Sequence, residues 1–317
     1  MNVTKKLIVI IISLISRCAF GQISAWSVIL LLLGTAYGRA GTWITLDFPG
    51  ATTTTAYGVD GRNIVGGYLG TSSYHGFLYD GSSWTTLDMS NMSSFSTQAE
   101  GIQGANIVGY YSGIPGDFGF RYNGSSWTTL SYPGSVGTSA EDIDGSNIVG
   151  YYVDSSWNFH GFFYNGTTWT TCDMPGGSFT IVYGIDGNRM VGGSNEGGFL
   201  FDGLRWTILN PPWAGSFTEP HDIDGANIVG YYYHDAGASG FLYDGTTWTT
   251  LNMPGASSTY AYGIDGNNIV GSYDDAYGTH GFLYVIPEPA TPLILCLGVL
   301  VLQVGRCRPR LAETTFR

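Results

Sequence analysis

Apolar and polar positions alternate with a period of two over short stretches of this chain, and each stretch ends in a glycine-containing turn. Gly240–Leu251, GFLYDGTTWTTL, is representative. Phe241 and Tyr243 flank Leu242, and Asp244-Gly245 follows as a turn dipeptide. Trp248, Thr249 and Thr250 are aromatic or β-branched strand formers. The pattern predicts two short strands joined by a two-residue or bulged hairpin. The phrase recurs at Gly76–Trp84, Gly119–Trp127, Gly161–Trp169 and Gly198–Trp206. A second phrase, YGIDGNNIVGSY at Tyr262–Tyr273, has counterparts starting at Tyr57, Glu100, Glu141, Tyr183 and His221. It predicts a strand, an Asp-Gly turn and a second strand ending in Val-Gly. The glycine after Val marks a close approach of another backbone.

The tryptophans Trp43, Trp84, Trp127, Trp169, Trp206 and Trp248 lie 41, 43, 42, 37 and 42 residues apart. A unit of about 42 residues with four short strands has the period of a β-propeller blade. The phase of the repeat adds a second inference. Gly281–Tyr284 has no tryptophan strand after it, and Thr42–Leu46 has no GFLY before it. Pairing these two segments completes the last unit. An open array would leave two strand edges unpaired, and a solenoid would want capping repeats instead of an out-of-phase strand. The expected fold is all-β: a six-bladed β-propeller over residues 41–286, closed by the N-terminal strand, with hydrophobic helical segments at both chain ends.

Residues 1–40 differ in kind. Lys5-Lys6 precede the apolar run Leu7–Ile15, a second run spans Val28–Leu33, and small residues lead to Ala40. This reads as a secretory signal cleaved near Ala40. Either the first run is an upstream extension, or residues 7–34 stay as an anchor. Arg17 stands where lipid attachment at Cys18 would want a small residue.

At the other end, Pro287-Glu288-Pro289 is followed by the apolar run Leu293–Val304 and then by Arg306, Arg308 and Arg310. This arrangement resembles the PEP-CTERM protein-sorting signal. The resemblance implies a membrane-spanning segment within 287–310, contact with the inner membrane until processing, and an exosortase-type enzyme as partner. A tail, 311–317, remains beyond it. The repeats resemble the extracellular repeat family named HAF at His75-Gly76-Phe77-Leu78-Tyr79, His160-Gly161-Phe162 and His280-Gly281-Phe282-Leu283-Tyr284. Glycine replaces that family's alanine throughout, and three copies lack the histidine. The implication is a bacterial protein exported to the cell surface or beyond.

Charge narrows the partners. Residues 41–286 hold four arginines, no lysine and 22 acidic residues, a formal charge of −18. Nucleic acid and anionic membrane surfaces are poor partners for such a body. Charged residues are 11% of the chain, against about 25% in a typical protein, so the surface is Ser, Thr, Asn, Gly and Tyr. Such a surface suits polar, uncharged ligands such as exopolysaccharide. Cys172 is the sole cysteine of the body, so no disulfide framework is expected.

Asp60, Asp144, Asp186, Asp224 and Asp265, with Gln103 in the sixth place, sit at equivalent turns. One carboxylate per turn falls short of the six to eight oxygens calcium takes, and Asp-Gly is an ordinary turn pair. His75, His160 and His280 start equivalent strands in separate units, which favours local hydrogen bonds over a shared metal. No cofactor or metal is expected. No nucleophile elbow, zinc helix or phosphate loop is present. The carboxylate pair Glu141-Asp142 is adjacent in sequence and in a regular strand points to opposite sides, so the chain reads as a non-enzyme.

The loops on the other face differ from unit to unit and carry Tyr74, Trp157, Phe159, Tyr233 and Tyr277. Variable loops on a rigid scaffold are where binding concentrates. The expected role is structural or adhesive. A glycan-binding lectin and a carbohydrate-active enzyme are the alternatives.

Overall fold

The computed structural model describes residues 41–89, 96–113, 116–213 and 217–287. The expected signal segment 1–40, Glu288, Pro289, the apolar run, Arg306, Arg308, Arg310 and the tail lie outside the described residues. So do the helical segments expected at the chain ends. Pro287 is the last described position and is half-buried. Among the described residues every regular element is a strand, and no helix is long and apolar enough to cross a membrane.

The chain enters through β1 (Thr42–Leu46) and then runs through repeated strands. The first unit is β2 (Thr53–Asp60), β3 (Asn63–Leu69), β4 (Tyr74–Tyr79) and β5 (Trp84–Leu87). The second is β6 (Thr97–Gln103), β7 (Asn106–Tyr111), β8 (Phe118–Tyr122) and β9 (Trp127–Leu130). The third is β10 (Gly137–Asp144), β11 (Asn147–Val153), β12 (Phe159–Tyr164) and β13 (Trp169–Thr171). The fourth is β14 (Thr180–Asp186), β15 (Arg189–Ser194), β16 (Gly197–Phe201) and β17 (Trp206–Leu209). The fifth is β18 (Thr218–Asp224), β19 (Asn227–His234), β20 (Gly237–Tyr243) and β21 (Trp248–Leu251). The sixth has β22 (Ser258–Asp265), β23 (Asn268–Asp274) and β24 (Thr279–Val285).

The architecture is all-β and that of a β-propeller. Units two to five are separate four-stranded antiparallel sheets. The expectation of six separate blades is corrected here. The sixth and first units share one eight-stranded sheet, because a single parallel bridge, Thr53↔Thr279, joins β2 to β24. On that sheet β1 pairs antiparallel with β24, from Thr42↔Val285 to Leu46↔Gly281. The Trp43 strand therefore stands beside Phe282 as β5 stands beside Phe77.

The same packing repeats in every unit. The third-strand phenylalanines Phe77, Phe120, Phe162, Phe199, Phe241 and Phe282 are fully buried. Each meets a tryptophan edge to face, an arrangement that aromatic quadrupoles favour. The centroid separation is 5.0 Å for Phe77–Trp84 and 4.9 Å for Phe282–Trp43 across the β1–β24 pair. Between units, apolar residues of one sheet pack on the next. Leu46 and Val270 of the sixth unit share a cluster with Ala56, Val59, Ile64 and Phe77 of the first.

All six first strands carry a bulge two to four residues before the Asp-Gly turn (Gln103-Gly104 in the second unit), with the extra residue Tyr57, Glu100, Glu141, Tyr183, His221 or Tyr262. The bulge explains the invariable glycine after Val in the neighbouring strand. A Cβ on Gly150 would stand 2.0 Å from the Ser139 carbonyl oxygen, closer than any real contact. The third-to-fourth-strand hairpin is longer than the two-residue or bulged turn expected. Tyr243 opposes Trp248, so Asp244–Thr247 form a four-residue loop. Asp244 Oδ1 caps it by accepting from the Thr246 and Thr247 amides at 2.8 and 2.7 Å.

Candidate functional site

Three places hold polar side chains in a non-random arrangement: the turn face, the space among the first strands, and the loop face. At the turn face, each first-strand turn is closed by two residues, as in Gly266-Asn267 between Asp265 and Asn268. Gly266 has φ +55°, which the first central position of a type II′ turn requires. The turn aspartates then reach sideways. Asp60 Oδ2 accepts from the Gly104 amide at 2.5 Å, and Gln103 Oε1 from Gly145 at 2.5 Å. Asp144 accepts from Gly187 at 2.8 Å, and Asp186 from Gly225 at 3.0 Å. Asp224 accepts from Gly266 at 2.7 Å, and Asp265 from Gly61 at 2.6 Å. The last link runs from the sixth unit back to the first. These oxygens rim an opening of about 130 Å³ and are engaged in joining units to each other.

Deeper in, a cavity of about 40 Å³ is lined by the bulge residues Tyr57, Glu100, Glu141, Tyr183, His221 and Tyr262, with Asp142 and Asp222. The bulge corrects the sequence expectation for Glu141-Asp142: both residues face this cavity. Asp142 holds two units together, its oxygens accepting from the amides of Ile143 at 2.7 Å and Ile185 at 2.8 Å. Asp222 does the same with Ile223 and Ile264, both at 2.7 Å. Desolvation pushes the Asp142 carboxyl well above the ordinary range, with Asp222 adding to it, and pushes Asp222 up to about 7. Burial also raises Glu100, next to Glu141, and takes Glu141 to about 7 against the hydrogen bond it accepts from Ser139 Oγ at 2.5 Å. These carboxyls favour their neutral form. Aromatic rings wall the space, with His221 stacked on Tyr183 at 4.1 Å and Tyr57 beside Tyr262 at 5.2 Å. Tyr57 donates to Gln98 Oε1 at 3.0 Å, and Tyr231 to Glu219 Oε2 at 2.5 Å.

The sequence expectations above do not include this axial set. Its signal was present: within a strictly kept phrase, the residue before the Gly or Asp reads Tyr, Glu, Glu, Tyr, His, Tyr. A side chain that varies while its flanks repeat is one that the repeat's own packing does not dictate.

The loop-face residues are exposed: Tyr277 at 90%, Trp157 at 72%, Tyr233 at 41%, Phe159 at 40% and Tyr74 at 38%. Phe159 leans on Tyr151 at 5.5 Å, and Tyr233 meets Tyr231 at 5.6 Å. Among the described residues no two of the five rings touch each other. The strand-start histidines are held locally. His75 Nδ1 lies 2.9 Å from Asp88, His160 Nδ1 2.7 Å from Asp173, and His280 Nδ1 3.0 Å from Asp47, which follows β1. Each ring also stacks on a second-strand tyrosine, at 5.2, 5.0 and 5.1 Å. Among the described residues no three His, Cys, Asp or Glu groups converge as a metal site.

No family model matches this chain, and no curated protein does. Solved structures do resemble it. The β-propeller domain of the trilobed protease from Pyrococcus furiosus aligns with a TM-score of 0.46 at 7% identity, over 74% of this chain and 95% of that one. A fucose-specific lectin from Aleuria aurantia gives 0.43 at 16%, over 81% and 98%. A Trypanosoma rangeli sialidase gives 0.46 at 9%, over 86% and 60%.

Proposed function

We propose that this chain is a six-bladed propeller, exported and processed at its PEP-CTERM-like segment, whose role at the cell surface or in exopolysaccharide is structural and adhesive. In this reading the eight-stranded sheet is two blades touching through one bridge, and β1 completes the sixth. The six turn-face hydrogen bonds that run round and return to their start support that count. The observation that carries the adhesive role is the contrast between this regular face and an opposite face with five separate exposed aromatic side chains. A rigid ring holding varied apolar groups toward solvent is a binding scaffold. With a body at −18 and no lysine, its target is an uncharged polymer, not nucleic acid or an anionic membrane.

An enzymatic role is not adopted. The acidic cavity, about 40 Å³, has room for about three water molecules at roughly 10–15 Å³ each, not for a sugar ring. The exosortase-type enzyme and the inner membrane enter only through the terminal segments.

Mass spectrometry of the mature protein tests export and sorting together: the expected termini lie near Ala40 and near Pro287-Glu288-Pro289. Retention of the protein by uncharged exopolysaccharide tests adhesion. A protein with both ends intact in the cytoplasm and no retention would overturn the reading.

A further inference from the structure

The six repeat tryptophans are packing residues, each against a buried phenylalanine. Trp157 is different. It lies outside the repeat, in the segment between β11 and β12, and is 72% exposed. Its φ is +65°, and it is the one non-glycine residue with positive φ among the described residues. A bulky side chain in the left-handed region costs of order 1–3 kcal/mol, and an indole in water forgoes its burial. Left-handed backbone recurs in these connections, at Gly197, Gly237 and Gly278 of other units, but there a glycine takes it without strain, so the turn itself does not call for a tryptophan.

The loop that bears Trp157 is tightly tied. Asp154 Oδ1 accepts from the amides of Ser156 at 2.8 Å and Asn158 at 2.9 Å, and Asp154 Oδ2 from Asn158 Nδ2 at 3.1 Å. The Trp157 amide donates to the Asp154 carbonyl at 3.0 Å, and the Asp154 amide to the Asn158 carbonyl at 3.0 Å. The Asn158 amide, with its side chain, holds the Asp154 carboxyl down to about 2. Behind it, His160 Nε2 stands 3.4 Å from Asp154 while Nδ1 is bonded to Asp173. The indole is thus presented on a braced loop, with its ordering entropy spent at folding.

We infer that Trp157 is the stacking platform of a carbohydrate subsite that takes an uncharged pyranose of an extracellular polysaccharide. The inference rests on the adhesive reading above and names where and how that adhesion is made. A rigid flat ring with one N–H donor matches the C–H face and hydroxyl rim of a sugar, and an aromatic anchor of this kind supplies contact area at low entropic cost. A protein partner fits less well. Among the described residues no other ring packs on Trp157 to extend it into the contiguous apolar patch that marks a protein interface. Acidic sugars are excluded by charge, because Asp154 and Asp173 stand behind the loop on a body without lysine.

The test uses the full chain and its Trp157→Gly and Trp157→Tyr variants, since glycine accepts the left-handed backbone and tyrosine keeps a ring. Binding is titrated by calorimetry with uncharged cello-, xylo- and galacto-oligosaccharides, with polygalacturonate as the acidic control, and retention on exopolysaccharide is measured in parallel. Expected is binding of at least one uncharged series and none of polygalacturonate. Trp157→Gly should weaken binding at least tenfold and Trp157→Tyr about threefold, with melting temperature unchanged or raised. If wild type and Trp157→Gly are retained equally, the subsite is wrong and the adhesive reading survives. If the wild type is retained by no polysaccharide, the adhesive reading fails and the subsite with it.

Discussion

The two ends of the first strands, a few residues apart, behave as two kinds of surface. At the turn face every unit makes the same bond: a turn oxygen accepts the glycine amide of the next unit, at 2.5 to 3.0 Å, six times over. Even Gln103, which breaks the aspartate pattern, makes it, and its Nε2 donates to Asp144 at 2.9 Å as well. At the loop face repetition is partial: three units share a strand-start histidine bonded to an aspartate and stacked on a tyrosine, and the rest differs. His75 is bonded to a serine and an aspartate, His160 and His280 lie between two aspartates each, and the exposed rings differ in type and exposure. The difference teaches where freedom lies in a repeat protein. Groups that join one unit to the next are constrained in every copy at once, whereas a loop that touches only its own unit is free to take on a task.

That contrast yields measurable consequences. The largest effect is expected at the seam. Deleting Thr42–Leu46 removes the partner of β24 and the tryptophan over Phe282. Its cost should exceed that of a single core Trp→Ala truncation, itself about 3–5 kcal/mol. Removal of 288–317 should leave the melting temperature of the body where it was. Comparable losses from the two truncations would mean that β1 is not part of the ring's closure.

Next in size is a pH dependence from the cavity between the faces. Glu100, Glu141, Asp142 and Asp222 all have carboxyls raised in the folded chain, chiefly by desolvation. Their contribution to stability is fully present below the unfolded carboxyl pKa of about 4. It is lost as pH rises through the folded values, about 7 for Glu141 and Asp222. His160 acts in the same direction: burial alone would lower it, but the bonds to Asp173 and then Asp154 outweigh this and raise it, so its contribution is lost on deprotonation. The protein should therefore melt at a higher temperature at pH 5 than at pH 8, the reverse of common acid denaturation. Glu141→Gln should flatten that slope, and a steeper or unchanged slope would exclude the cavity as its source.

The smallest effects set the faces directly against each other. Asp144→Ala frees the Gly187 amide and should cost about 1 kcal/mol, because water can take the exposed donor. Trp157→Gly relieves a left-handed backbone and should cost nothing or gain up to about 1 kcal/mol. Chemical denaturation separates the two, and a Trp157→Gly variant less stable than Asp144→Ala would make the loop face a structural element after all.

Much of the ring was legible along the chain, for a physical reason: every unit solves the same packing problem, so Phe, Trp, Val-Gly and Asp-Gly return at each turn of the repeat. The phase mismatch of Thr42–Leu46 with Gly281–Tyr284 even located the seam. The positions Tyr74, Trp157, Phe159, Tyr233 and Tyr277 stand out along the chain because they interrupt that repeat, whereas the exposure of each ring is a finding of the structure. The axial groups were not legible. Strand alternation places Glu141 and Asp142 on opposite sides, and only the bulge turns both toward the cavity. The four-residue loop at Asp244–Thr247 was missed for a similar reason, since Asp-Gly alone does not say whether the capping carboxylate closes two residues or four.

Local residue chemistry, then, determined the strands, the unit length and the partner of the last strand, because each depends on side chains a few positions apart or on a pattern counted along the chain. Tertiary structure alone decided that carboxyls from separate units share one desolvated cavity, that turn oxygens bond to neighbouring units, and that Trp157 stands in the left-handed region facing water. Those outcomes depend on distances between units and on backbone angles, and neither is written in the order of residues within a single unit.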